Sequence, residues 1–535
     1  MTKKQKGKHI HLIGIGGTGL SAIAQVLLDR GFRVSGSDEA LTKRTADLYQ
    51  AGANIFKGHR ASNVTGAQMV VLSSAISEDN PEMQEARRLG VPLLKRGDLL
   101  GSLMTNNTGI AITGTHGKTT TTGMVAQILL EAELDPTVIM GGTLAKMDSN
   151  GRSGTGKHFV VEADEYDQMF LGLRPKIGVV TNIEYDHPDS YPTRARYEQA
   201  FVEFAKLLPD DGCLVICAED ANAVGLLKVN PNLTRYAYGI GFPITPMPGL
   251  NLLLAQDVRP NDKGGVDFSV DLNLEPIGEV SLQVAGDHNV NNALAAMAVA
   301  LHEGLPFEAI ARALGNFPGV ERRFELRGQV QGVTVLDDYA HHPTEIKTTL
   351  AAAKQRYPGQ RLWAVWQPHT YSRVKAMMAD FATCFKDADG VVVLDIYRSR
   401  ERDTLGLTPE GVAKQVKHPN VQYGGALAQA TSLLLDQVQA NDVVITLNAG
   451  DARVMGDWLL DGLRERQAKV VLSLTEDSMG DEKEKGTADE AQENDPNKMF
   501  KLDATAAQVR RLVDRLKKEE EKKGSNKQDN DGGKN

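Results

Sequence analysis

Three cysteines in 535 residues make no disulfide framework, so the chain is expected to fold in a reducing compartment on its apolar core alone. Cys213 and Cys217 share an apparent strand, GCLVICAED. Four steps of extended backbone separate them by roughly 13 Å, too far to bridge, and they read as core residues. Also lacking is any apolar stretch approaching the roughly 18 residues of a membrane span. The opening, MTKKQKGKHIHLIGIGG, sets lysines before an apolar run, but the run carries His9 and His11 and dissolves into glycines, unlike the apolar centre of a signal peptide. A cytoplasmic protein without membrane insertion is expected. Nor is there a surplus of positive charge. A net charge of -9 and a pI near 5.8 argue against general nucleic-acid binding. They leave room for small anionic substrates, which need only a local basic site.

What is present is 41% hydrophobic and 24% charged sequence, enough to build about two to four domains with full cores. The first hundred residues alternate HIHLIGI, SAIAQVLLDRG, FRVSGSD and MVVLSSAI, the βαβ rhythm of a parallel sheet covered by helices. GIAITGTHGKTTTTGMVAQILLEAE restarts the pattern with a strand, a Gly/Thr loop and a helix. HFVVEADE and IGVVTNIEYDHPD are further strands with acids at their C-terminal ends, where ligands sit in open α/β sheets. VDFSVDLNL alternates strictly and predicts antiparallel strands added to this second unit. VTVLDDYA, RLWAVWQPH, GVVVLDIY and DVVITLNAG mark a third unit. The expected fold is therefore α/β in three domains: residues 1–107 Rossmann-like, 108–318 a central ATPase-type sheet with a phosphate loop and added antiparallel strands, and 319–472 again Rossmann-like. Residues 473–535 form a polar tail. Its acidic part predicts disorder, and DATAAQVRRLVDRLKKEEEKK places Val509, Leu512, Val513 and Leu516 on one helical face, a candidate docking helix for a protein partner.

Two glycine loops carry the chemistry. GTHGKTTTT, residues 114–122, sits where a strand hands over to a helix, so backbone N–H groups from Gly114 to Thr119 can cradle phosphate oxygens. Lys118 can neutralise phosphate charge and the Thr119 hydroxyl can ligate Mg²⁺. Ile112 stands where the full phosphate-loop pattern has its first glycine. At a neighbouring strand end Glu162 is a candidate Mg²⁺ ligand, with Asp164 and Glu165 adding negative field. His187 lies past another strand end. Magnesium prefers oxygen ligands, so a structural or phosphate-contacting histidine remains open there. In the first unit Gly14, Gly16 and Gly19 form GxGxxG between strand and helix, with Asp38 at the end of the next strand. The spacing supports a diphosphate-bearing ligand with a ribose near Asp38 and does not require nicotinamide.

GIGGTGLSAIAQVLLDRGFRVSGSD, SSAI, GTHGKTTTT, EADEYD, TNIEYDHPD, GDHNVNNALAA, RRFE, DDYAHHPTE, QPHTYSR and LNAGD follow the order seen in Mur ligases, which the chain resembles from residue 8 to about 465. Within the family it looks most like the branch adding L-alanine to UDP-N-acetylmuramate. The resemblance implies that the first loop binds the UDP-sugar, through Gly14, Gly16, Gly17, Thr18, Gly19, Asp38 and Ser74, with His116 also reaching it. ATP then falls to Gly114, Thr115, His116, Gly117, Lys118, Thr119 and Thr120. His288, Asn289 and Asn292 match adenine and phosphate contacts, Arg323 aims at the γ-phosphate and Asp338 at the ribose.

Two Mg²⁺ ions are implied, one on Thr119 and Glu162 and one on His187 beside Glu162. Lys118, Arg323 and His187 form the implied catalytic set. QPHTYSR implies an amino-acid site in which His369 and Arg373 grip the alanine carboxylate, a planar anion suited to Arg. Thr370 stands where some members carry a second arginine. PDSYPTRARYEQAF offers no lysine for the carbamate found in several relatives, so none is expected. The implied reaction makes an acyl phosphate from the muramoyl carboxylate and ATP, in peptidoglycan precursor synthesis. Two alternatives stay open at this point: the sister ligase attaching a preformed peptide to the same sugar nucleotide, and an NAD-dependent oxidoreductase using the first loop. The second leaves GTHGKT, Glu162 and QPHTYSR without a task.

Overall fold

The first sheet forms because short β-branched runs alternate with amphipathic helices. Its strands are β1 (His9–Ile13), β2 (Arg33–Asp38), β3 (Asn54–Lys57), β4 (Met69–Leu72) and β5 (Leu93–Lys95), all parallel in the order β3-β2-β1-β4-β5. The chain's direction across the sheet reverses between β1 and β4. The loops after these strands therefore splay apart and open a crevice at their C-terminal ends. Residues 14–19 and Ser74 lie on that edge, as the rhythm of the sequence predicts. These relations come from a computed structural model that describes residues 7–241, 247–399 and 401–481, with side chains to residue 469.

The second sheet has ten strands: β6 (Thr108–Thr113), β7 (Thr137–Leu144), β8 (Ser149–Arg152), β9 (His158–Glu162), β10 (Ile177–Val180), β11 (Cys213–Cys217), β12 (Thr234–Ile240), β13 (Leu250–Pro260), β14 (Val266–Leu272) and β15 (Glu275–Ser281). β6 lies between β9 and β10, parallel to both, and its register sets Ile112 level with Glu162 and Thr113 with Val180. β13, β14 and β15 are antiparallel, as the alternation of VDFSVDLNL predicts, with Val266, Phe268 and Val270 turned into the core.

Ile112 is fully buried within β6, which explains the departure from the full phosphate-loop pattern: the strand still runs there, and the turn begins only at Gly114. Behind the turn, helix Lys118–Glu131 packs on helix Asp287–His302. Ala293, Ala295, Ala296, Ala298 and Ala300 let the backbones approach, while Met124, Ile128 and Leu129 fill the remaining space. Each of these large side chains contributes roughly 1.5–3 kcal/mol through burial.

The hairpin β7–β8, which no pattern in the sequence predicts, packs on helix Thr18–Asp29 of the first sheet. Asn150 donates to the Thr18 carbonyl at 2.9 Å, and a side chain at Gly151 would collide with the backbone of Ala22.

The third sheet comprises β16 (Glu325–Val330), β17 (Val333–Asp338), β18 (Arg361–Trp366), β19 (Gly390–Leu394), β20 (Val421–Gly425) and β21 (Asp442–Leu447), ordered β16-β17-β21-β18-β19-β20 with only β16 antiparallel. Trp366, Phe381 and Phe385 anchor its core. All three sheets belong to one unit ending at Trp458. Helix Arg453–Asp481 corrects one expectation: residues 477–481, the start of the acidic stretch in which disorder is predicted, are helical. A helix once nucleated adds one hydrogen bond per residue and propagates into sequence that would not start one. The candidate docking helix with Val509, Leu512, Val513 and Leu516 lies outside the described residues.

Candidate active site

The second glycine turn is shaped by its backbone. Gly117 caps the following helix in the left-handed region (φ 80°), where an added Cβ would also strike the Asn292 side chain. The helix then begins at Lys118, so its first N–H groups have no intrahelical acceptor and point out of the turn. Lys118 Nζ folds over the turn, donating to the Gly114 and Thr115 carbonyls at 2.6 and 3.0 Å and pairing with Glu165 at 2.9 Å. Burial works against its charge, but Glu165, Asp164 and Glu162 outweigh it and hold the ammonium above its ordinary range.

Register brings Glu162 to Thr119, whose hydroxyl donates to Glu162 Oε1 at 2.8 Å. The other carboxylate oxygen accepts from Gly141 N–H, and Arg323 Nη2 lies 3.3 Å from the Thr119 hydroxyl. A hydroxyl and a carboxylate side by side make a hard oxygen donor pair of the kind Mg²⁺ takes. Arg96, from the first sheet's side, pairs with Asp164 and fills the space beside Gly19 that any side chain there would need.

His187 lines the same cavity as Glu162. Its imidazole faces Glu165 Oε1 at 3.5 Å and Asp186 Oδ2 at 3.7 Å, and its backbone N–H is held by Asp186 Oδ1 at 2.7 Å. Burial opposes protonation, but Asp186 and Glu165 raise its pKa. Asp186 does a second task that the sequence did not announce: it takes Arg373 Nε and Nη2 in a bidentate pair at 2.9 and 3.1 Å, both side chains being buried. Burial resists the charge on Asp186, yet Arg373 holds the carboxyl well below the usual range. The remaining Nη1 of Arg373 approaches His369 Nδ1 at 3.1 Å. His369 stacks on Tyr397 with ring centroids 5.6 Å apart, and burial, with His341 and Arg373 nearby, drives its pKa down to about 2, so it is neutral.

The predicted residues gather around two adjoining cavities. One, of about 550 Å³, is lined by Thr18 and Gly19 of the first turn, by Thr115, Gly117, Lys118 and Thr119 of the second, and by Glu162, His187, Arg323, His369 and Arg373. The other, of about 1770 Å³, is lined by His116, Gly117, Thr120, His288, Asn289, Asn292, Arg323 and Asp338. Gly117 and Arg323 border both. Asn292 accepts from Thr121 and donates to Asn289. Burial, helped by Arg323, lowers His288 to about 4, whereas burial lifts Asp338 to about 6. Gly14, Gly16, Gly17, Gly114, Asp38 and Ser74 line neither of these cavities. Asp38 instead accepts the Gly16 N–H at 2.9 Å and so fixes the first turn.

The residues that sequence reasoning missed are Asp186, Glu184 and Glu345. Each stands in a quoted segment, EYDHPD or HHPTE, beside a histidine at a strand end, which is the one local signal that marks them.

The three domains occur together in known proteins. Residues 9–108 match the Mur ligase family catalytic domain, 112–300 the Mur ligase middle domain and 322–450 the Mur ligase glutamate ligase domain. The chain is 42% identical to the UDP-N-acetylmuramate–L-alanine ligase of Solibacter usitatus over 85% of its length and 96% of the relative's. It is likewise 42% identical to the protein of that name from Geobacter sp. (strain M21), over 87% and 99%. Among solved structures, the UDP-N-acetylmuramate-alanine ligase of Thermotoga maritima aligns with a TM-score of 0.71 at 29% identity, covering 86% of this chain and 99% of that one. A murein peptide ligase from Psychrobacter arcticus aligns at 0.65 and 26%, covering 85% and 99%. With three successive domain matches and this identity along nearly the full length of the relatives, the chain belongs to the Mur ligase family.

Proposed function

We propose that the protein is an ATP-dependent ligase joining L-alanine to the carboxylate of UDP-N-acetylmuramate, with release of ADP and phosphate, in peptidoglycan precursor synthesis. The observation that carries this reading is the single cavity bordered at once by Thr18 and Gly19, by Lys118 and Thr119, and by His369 and Arg373. A sugar nucleotide, a triphosphate and an amino acid can meet there. Residues 1–107 serve the UDP-sugar, 108–318 ATP and 319–472 the amino acid. The three cysteines are free and buried, in keeping with a reducing cytoplasm.

A carboxylate does not condense with an amine until one oxygen becomes a leaving group. A muramoyl carboxylate oxygen attacks the γ-phosphorus and ADP departs. The amine then attacks the acyl carbon, loses its proton, and phosphate leaves with the former carboxylate oxygen. Lys118 and Arg323 stand on either side of Thr119, placed to stabilise charge on the transferring phosphoryl group by position and electrostatics. Thr119 and Glu162 would hold one Mg²⁺, and His187, with Glu165 facing its ring, a second; magnesium bound there would neutralise phosphate charge. His288, Asn289 and Asn292 flank the adenine side, and Asp338 takes the ribose. With Nε and Nη2 of Arg373 on Asp186 and Nη1 on the His369 carbonyl and ring, the alanine carboxylate meets this cationic cluster and the neutral His369. Enclosure by the third domain keeps water from the acyl phosphate.

The test is isotopic. With UDP-N-acetylmuramate carrying ¹⁸O in its carboxylate, one label appears in each phosphate released. Unlabelled phosphate accompanying product would contradict the acyl-phosphate route.

A further inference from the structure

One carboxylate touches both halves of this site. Glu345 lies in the first turn of helix Pro343–Arg356, where its Oε2 accepts from the N–H groups of His341 and His342 at 3.0 and 3.2 Å. Its Oε1 leaves the third domain altogether and lies 3.1 Å from Nδ1 of His116, inside the second glycine turn. The opposite nitrogen of His116, Nε2, lies 2.9 Å from Oε2 of Glu184, which follows β10. Carboxylates only accept, so both ring nitrogens donate and His116 is an imidazolium. Burial works against this charge, but the bonds and fields of Glu184 and Glu345 outweigh it and lift the pKa to about 9. Thr344 tightens the same contact, its hydroxyl donating to Glu184 Oε1 at 2.7 Å. On the amino-acid side, the loop that Glu345 caps carries His341, whose ring stands edge-on 5.8 Å from that of His369.

We propose that Glu345 is a positioning residue that couples docking of the third domain to the phosphate loop: through His116 it sets the turn presenting Lys118 and the helix N-terminus, and through its cap it holds the loop bearing His341. This rests on the two-site reading above. A capping box needs only an acceptor, which glutamine supplies as well as glutamate. Only the grip on the His116 imidazolium needs the charge, since bonds to charged groups are about twice as strong as neutral ones. Glutamine therefore separates the two roles.

The experiment uses the full chain with Glu345→Gln, Glu345→Asp and Glu345→Ala. It follows steady-state kinetics with ATP, UDP-N-acetylmuramate and L-alanine, thermal midpoints, and hydrogen exchange of the amides of residues 115–120 in protein without substrates. For Glu345→Gln the expected result is an unchanged midpoint, faster exchange of those amides, and a kcat lower by about 10- to 100-fold, the scale of a small misplacement of reacting groups. The KM for UDP-N-acetylmuramate stays within about twofold. Glu345→Asp, which keeps the charge, recovers part of the loss, and adding His116→Gln to Glu345→Gln speeds the exchange of those amides no further. Wild-type kcat and wild-type exchange in Glu345→Gln, with only Glu345→Ala impaired and only in its midpoint, would overturn the proposal and leave Glu345 a helix cap. Failure of the wild-type protein to use L-alanine would count against the proposed function instead; the exchange result would still decide on the coupling.

Discussion

The two glycine turns, at 14–19 and 114–117, each leave the end of a central parallel strand and enter a helix, yet they are furnished differently. In the first, Gly17 caps helix Thr18–Asp29 without a side-chain hydrogen bond, Ser37 O takes the N–H groups of Gly14 and Ile15, and Asp38 takes that of Gly16. No lysine or arginine belongs to the turn itself. The second carries Lys118 and Thr119 directly after its glycines, with Glu162, Asp164 and Glu165 around them. Backbone amides are enough to hold a diphosphate that does not react. A triphosphate that loses its terminal phosphoryl needs mobile charge answered by side chains, and the proposed function gives that task to the second turn.

This contrast can be attacked at its strongest point first. Replacing Lys118 with Ala is expected to lower kcat by about 10³-fold or more while UDP-N-acetylmuramate binding, followed by calorimetry, stays within about twofold. Near-normal phosphate release would dissolve the distinction between the turns. Next, Glu162→Gln keeps an acceptor but loses the charge, and is expected to reduce kcat by about 10²-fold and to raise the magnesium concentration giving half-maximal rate. Where the second domain meets the third, Asp186→Asn weakens the hold on Arg373, so the KM for L-alanine rises by roughly 10- to 100-fold with the KM for ATP little changed. At the first turn, Asp38→Asn is expected to cost about tenfold in the KM for the sugar nucleotide and nothing in kcat, the signature of lost uniform binding.

A pH measurement sharpens the same picture. The folded pKa of His116, about 9, exceeds its ordinary 6.5, so the stabilisation it contributes is complete below pH 6.5 and fades as pH rises through 9. The thermal midpoint of the wild-type protein should fall more steeply between pH 7 and pH 9.5 than that of His116→Gln, in which Glu184 and Glu345 no longer face a titrating partner. Parallel profiles would remove His116 from the account.

Much of this was legible in the chain because it is local. A strand, a glycine turn and a helix announce themselves within about twenty residues, and Lys118 and Thr119 come with the turn. The match of Glu162 to Thr119 follows from parallel register one βα unit later. His369 and Arg373 come within one short segment, His369 just before helix Tyr371–Phe381 and Arg373 in its first turn. What escaped was set by contacts between distant segments. Asp186 meets Arg373, and Glu345 meets His116, only because the second and third sheets pack together; Glu184 meets His116, and His187 meets Glu165, through loops of the second sheet that lie far apart in the chain. The β7–β8 hairpin, whose packing on helix Thr18–Asp29 ties the first sheet to the second, has no alternation strong enough to declare itself in TVIMGGTLAKMDSNGR. The helix through residues 477–481 is carried by the ordered turns before it rather than by its own composition.

The most direct test is phosphate release from ATP in the presence of UDP-N-acetylmuramate, comparing L-alanine with a preformed tripeptide as the acceptor amine. The account predicts rapid release with L-alanine, one phosphate per UDP-N-acetylmuramoyl-alanine formed, and no stimulation by the tripeptide. Release with the tripeptide and not with L-alanine would contradict it.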